Sequence, residues 1–130
     1  MSTQPVTVLV VDDNELNLEL VTHVLEAAGH AVRQARSGPE ALEAIRGTAP
    51  GLILMDIGLP GMDGYTVVRA LRADPATARI PIVALTAYAM ANDERLAMEA
   101  GCNGYITKPF DVRTLAQTLA RILEELGPRP

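Results

Sequence analysis

Asp12 and Asp13 stand side by side directly after the apolar run Val8–Val11, and Asp56 directly after a second run, Leu52–Met55. Two more apolar stretches close on other groups: Ile82–Leu85 on the hydroxyl of Thr86, and "GYIT" on the ammonium of Lys108. Carboxylates with no histidine or cysteine beside them form an all-oxygen donor set. Such a set suits a hard divalent cation, and Mg²⁺ fits a site that keeps some of its waters. Without a cation, carboxylates gathered in a small volume repel one another. A carboxylate, a divalent cation, an ammonium and a hydroxyl together suit the binding of a phosphoryl group at an aspartate, because metal and lysine offset the charge spread over its oxygens. Each residue alone has a plainer reading. Asp12 and Asp13 would serve as a solvated turn or a helix N-terminus, and Asp56 as a turn residue ahead of a Gly/Pro loop. Thr86 would satisfy its local backbone, and Lys108 would be a surface lysine. Their joint placement at four strand ends favours a site.

Strands that end together on one edge are needed to gather these groups. Val6–Val11 reads as a first buried strand. Leu16, Leu20, Val21, Val24, Leu25 and Ala28 then fall at helical spacing, with Gly29 as the stop. Ala31–Ala35 is a short second strand. "SGPE", Ser37 to Glu40, is a capping box with proline near the first helical position, opening a helix to about Arg46. Gly51–Met55 is a third strand, "GLPGMDG" a loop, and Thr66–Ala73 a helix. A fourth strand covers Ile82–Leu85, and a helix opens at Asn92 or Asp93 and ends near Gly101. Gly104–Thr107 is the fifth strand, and Asp111 caps a last helix through about Leu126, closed by Gly127 and Pro128. Strands alternating with helices imply a parallel sheet covered on both faces, with ligands taken at the carboxyl ends of its strands.

The 130 residues suit one domain with a single core, and 48% hydrophobic content is too high for disorder. One domain over 1–130 is expected, its core about 6–126, with no attached output module. No apolar run approaches the roughly 20 residues that cross a bilayer. The start "MSTQP" lacks the features of a secretory signal, and Cys102 is the sole cysteine, so a soluble cytoplasmic protein without an intrachain disulfide is expected. A net charge of -5 and an aromatic content of 3% argue against phosphate-backbone binding and base stacking, hence against direct nucleic-acid binding. His23 and His30 read as surface or boundary groups. Met90 and Met98 read as an adaptable partner surface or, for Met98, equally as core filling, and Cys102 as a small apolar filler.

Over about Thr7 to Leu126 the chain resembles receiver domains of two-component response regulators, through "VLVVDDN", "LILMDIGLPGMDG", "IVALTA" and "GYITKPF" in order and at family spacing. The resemblance implies a flavodoxin-like (βα)5 doubly wound α/β fold with strand order 2-1-3-4-5. It implies Asp56 as phosphoacceptor, and Mg²⁺ held by Asp13 and Asp56 directly, by Asp12 mainly through water, and by the Gly58 carbonyl. Thr86 would hydrogen-bond the acyl phosphate, Lys108 would pair with it, and Lys108–Pro109 would be the family's cis peptide. Tyr105 stands where the family carries its switch aromatic; as a residue alone it reads as a half-buried edge aromatic. Gly58 and Tyr88 occupy positions that tune the family's rates and leave the lifetime of the phosphorylated state open. The run "TAYAMANDERLAMEAGC" is similar to phosphorelay receivers, either single-domain regulators of the division-control type or receivers of hybrid histidine kinases.

The implied function is a response regulator that takes a phosphoryl group from a histidine kinase or histidine phosphotransfer protein onto Asp56. It would switch the face of the fourth helix, fifth strand and fifth helix for a downstream protein effector, as a monomer or weak homodimer. It would catalyse only its own phosphorylation and dephosphorylation. A metal-dependent phosphatase is disfavoured because Gly58 stands where an acid/base carboxylate is needed. A phosphorylation-independent adaptor and a receiver cut from a hybrid kinase would also carry these motifs; the initial Met1 is expected of a free-standing protein.

Overall fold

The computed structural model describes residues 6–57, 64–86, 91–107 and 112–126. In chain order the elements are β1 (Thr7–Val11), α1 (Glu15–Ala27), β2 (Ala31–Ala35), α2 (Gly38–Gly47), β3 (Leu52–Asp56), α3 (Gly64–Ala73), β4 (Ile82–Thr86), α4 (Ala91–Ala100), β5 (Gly104–Thr107) and α5 (Val112–Leu126). All neighbouring strands pair in parallel, in the order β2-β1-β3-β4-β5. The expected doubly wound α/β fold is the one observed. Strand side chains alternate between faces, and each face has its own core. Leu9, Val11, Ile53, Met55, Ile82 and Ala84 pack with buried residues of α2, α3 and α4. Val8, Val10, Leu52, Leu54, Val83 and Leu85 pack with α1 and α5. Two covered faces explain why the central strands read as unbroken apolar runs.

Local chemistry sets the element ends. Asn14 caps α1, its side-chain oxygen accepting from the Asn17 N–H at 3.1 Å. At the other end Gly29 has φ +95°, the Gly29 N–H donates to Glu26 O, and the His30 N–H donates to Leu25 O, a paired closure that satisfies the last carbonyls. Ser37 Oγ accepts from the Glu40 N–H at 3.2 Å, and Pro39 sits in the first turn of α2.

Several expectations are corrected. In the first turn of α1, Leu16 is 76% exposed, while Leu18, off the expected stripe, is buried. Leu16, two residues before Leu18, points about 200° away from it around the helix and so lies off the face formed by Leu18, Val21 and Leu25. β3 runs one residue later than expected and includes Asp56, because Asp56 still pairs in register with Leu85. α3 begins at Gly64 rather than Thr66, and α4 at Ala91. Of the surface or boundary positions expected for the histidines, His30 takes the inner one, buried at 9% exposure where α1 meets α5. Met98 is exposed and does not fill the core, whereas Cys102 is the buried filler expected. The expected cap Asp111 and closing Gly127–Pro128 lie outside the described residues, as do Tyr88 and Met90.

Candidate functional site

Register brings the aspartates together. Val11 pairs with Met55, so the next residues on the two strands, Asp12 and Asp56, stand side by side at the sheet edge. The Asp12 N–H donates to Ala35 O at 3.1 Å, extending the β1–β2 pairing by one step. Its carboxylate Oδ1 accepts from the Asn14 N–H at 2.9 Å, so the turn into α1 orients the group. On β3 the Ile57 N–H continues the ladder to Leu85 O at 3.0 Å and holds Asp56 straight at the strand tip.

Asp12, Asp13 and Asp56 each offer an oxygen within 4.8 Å of the others. Asp12 and Asp56 are buried and Asp13 is exposed. Carboxylates this close, two of them shielded from water, repel strongly unless a cation lies among them. The donor set is all oxygen, with an exposed member on one side, which fits a hard divalent ion that keeps waters on its open side. The three carboxylates thus form an acidic cluster of the kind expected to hold a divalent cation.

Gly64 reads in the sequence as one more loop glycine. A Cβ there would lie 2.7 Å from Asp56 O and 2.7 Å from Ile57 Cα, so only glycine lets the start of α3 approach the tip of β3. The Gly64 N–H donates to Ile57 O at 3.0 Å and ties the two together. Its signal is the last glycine of "GLPGMDG", which the absence of a side chain makes indistinguishable from a turn glycine.

Thr86 ends β4 beside Thr107 of β5, one step beyond the Leu85–Asp56 pair, so its backbone borders the aspartates. The Thr86 side chain lies outside the described residues, as do Gly58, Lys108 and Pro109. Tyr105 is half-buried on the edge strand β5, opposite Ala84, and packs on the core shared with α3 and α4.

Residues 8–120 match the model of the response regulator receiver domain. The chain belongs to that family. Among receiver relatives, the polar-differentiation response regulator DivK of Brucella anthropi is 41% identical over 119 residues, covering 92% of this chain and 97% of its own. The chemotaxis response regulator CheY4 of Vibrio cholerae superposes with a TM-score of 0.86 at 32% identity, covering 92% of this chain and 99% of that one. The Mn²⁺-bound form of response regulator Rcp1 superposes with a TM-score of 0.78 at 29% identity, covering 91% of each. In this receiver no helix among the described residues is long and apolar enough to cross a membrane.

Proposed function

We propose that this receiver is a phosphorylation-driven switch whose phosphoacceptor is Asp56. A carboxylate oxygen of Asp56 attacks the phosphorus of a phosphohistidine on a histidine kinase or histidine phosphotransfer protein. The P–O bond forms as the P–N bond breaks, and the imidazole nitrogen leaves with the electron pair. Water later cleaves the acyl phosphate and restores the carboxylate. The observation that carries this reading is the convergence of Asp12, Asp13 and Asp56 within 4.8 Å, two of them buried. Asp13 and Asp56, with Asp12 through water and the Gly58 carbonyl, would hold Mg²⁺; when bound, the ion offsets charge on the phosphoryl oxygens. The Mn²⁺-bound form of the relative Rcp1 supports a divalent cation as the ligand of such a domain.

Thr86 and Lys108 meet the new phosphoryl oxygens by hydroxyl and ammonium; the end of β4 beside Asp56, and the end of β5 beside β4, support those roles. Drawn inward, they bias Tyr105 and the face of α4, β5 and α5 between two conformations, which a downstream effector distinguishes. The protein works in the cytoplasm as a one-domain regulator, in keeping with the DivK relatives that it spans almost entirely.

Intact mass after incubation with acetyl phosphate tests the assignment. One phosphoryl group should be gained only with Mg²⁺ present, and none by Asp56→Asn. Equal labelling of that variant, or labelling unaffected by chelator, would overturn it.

A further inference from the structure

Away from the carboxylates, Arg72, near the end of α3, is a cation engaged through all three guanidinium nitrogens. Its Nε donates to Gly101 O at 2.9 Å, and its Nη1 donates to Ala78 O at 2.9 Å and Ile80 O at 2.7 Å. Its Nη2 donates to Asn103 Oδ1 at 3.0 Å. None of these acceptors is a carboxylate. A guanidinium spread over neutral acceptors on separate segments joins chain rather than neutralising charge.

The joined segments are the approach to β4, the end of α4 and the start of β5. α4 closes as α1 does, with Gly101 at φ +119°, the Gly101 N–H donating to Met98 O and the Cys102 N–H to Ala97 O. The Arg72 stem lies against that glycine: a Cβ on Gly101 would be 2.7 Å from Arg72 Cγ. Asn103 carries the connection into the sheet, its Oδ1 also accepting from the Ile82 N–H at 2.9 Å while its own N–H donates to Ile82 O. Everything held this way lies at the sheet end opposite Asp56.

We propose that Arg72 is the fixed pivot of the switching face, an inference that rests on the receiver reading above. A helix of 10 residues is about 15 Å long. Held at Ala100–Gly101, α4 moves least there and most at Ala91, the end that follows Thr86. Signal-dependent displacement is therefore confined to the site side of α4, β4 and β5, while Gly101–Asn103 stay in place.

Amide hydrogen exchange tests this on the wild type, Arg72→Met and Arg72→Lys, each with and without beryllofluoride and Mg²⁺. In the wild type, beryllofluoride should change exchange about tenfold in the Ala91 half of α4 and less than about twofold at the amides of Gly101, Cys102 and Asn103. Arg72→Met should speed those three amides about tenfold in the resting state and spread the beryllofluoride response along all of α4. Arg72→Lys, which keeps the stem over Gly101, should act in the same direction and decides the matter if the methionine variant does not fold. Acetyl phosphate labelling of Asp56 should persist in both variants. An equal beryllofluoride response at Gly101–Asn103 and at Ala91 in the wild type overturns the pivot alone, as does unchanged exchange at those amides in the variants. No beryllofluoride response anywhere, with no labelling of Asp56, overturns the phosphorylation switch at Asp56 and the pivot with it.

Discussion

At the scale of single residues, burial separates groups that the sequence presents alike. His23 and His30 differ little as letters, but His23 is exposed on α1 while His30 is buried where α1 meets α5. Its Nδ1 accepts from the Val6 N–H at 3.1 Å, which requires that nitrogen to be unprotonated. Burial lowers its pKa from the ordinary 6.5. As pH falls through about 6.5 the unfolded chain therefore takes up a proton that the folded chain resists. The contribution of His30 is full above that pH and is lost as pH falls further toward the folded value. Urea midpoints at roughly pH 7.5 and 5.5 should drop more for the wild type than for His30→Asn, which keeps an acceptor and does not titrate. Equal drops would remove His30 from the account. Cys102 shows the same effect with the opposite sign, its thiol pushed up to about 11 chiefly by burial, so it is a packing group rather than a thiolate.

At the scale of elements, the approach of α3 to β3 matters most for the site. The Gly64→Ala methyl would press on backbone atoms Asp56 O and Ile57 Cα, which cannot turn aside as a side chain could. The variant should lose about 1–3 kcal/mol in urea unfolding and label more slowly at Asp56. At Gly47, on the exposed end of α2, an added methyl would meet nothing within 4 Å. Gly47→Ala should leave labelling unchanged and gain up to about 1 kcal/mol from helix propensity. If Gly64→Ala behaved like Gly47→Ala, the close contact at Asp56 would not constrain the site. The elements themselves were largely legible, because the apolar runs, the Ser37–Glu40 cap and Gly29 each signal locally. Their edges were less so. Whether Asp56 ends a strand or starts a loop depends on its pairing with Leu85, and the exposure of Leu16 depends on which side of α1 faces the sheet.

At the scale of the whole molecule, site and stability are linked. Clustered carboxylates oppose folding by their repulsion, and an ion bound only by the folded chain reverses this. Mg²⁺ at about 100 times its dissociation constant should add about 2.7 kcal/mol to the stability of the wild type. In chelator, Asp13→Asn should unfold at a higher temperature than the wild type, and added Mg²⁺ should narrow or invert that order. A wild type indifferent to Mg²⁺ in thermal unfolding would remove the metal from the account. By itself the sequence determined the alternation of strands and helices, the apolar strands and the aspartates at their ends, since strand periodicity, capping and turn chemistry act over a few neighbouring residues. Only the tertiary structure decided that Asp12 and Asp56 stand side by side, that Gly64 must lack a side chain, that His30 is buried, and that Arg72 ties the approach to β4 to the Gly101–Asn103 connection. Those facts depend on strand register and on close approach between residues far apart in the chain, and no local pattern encodes either.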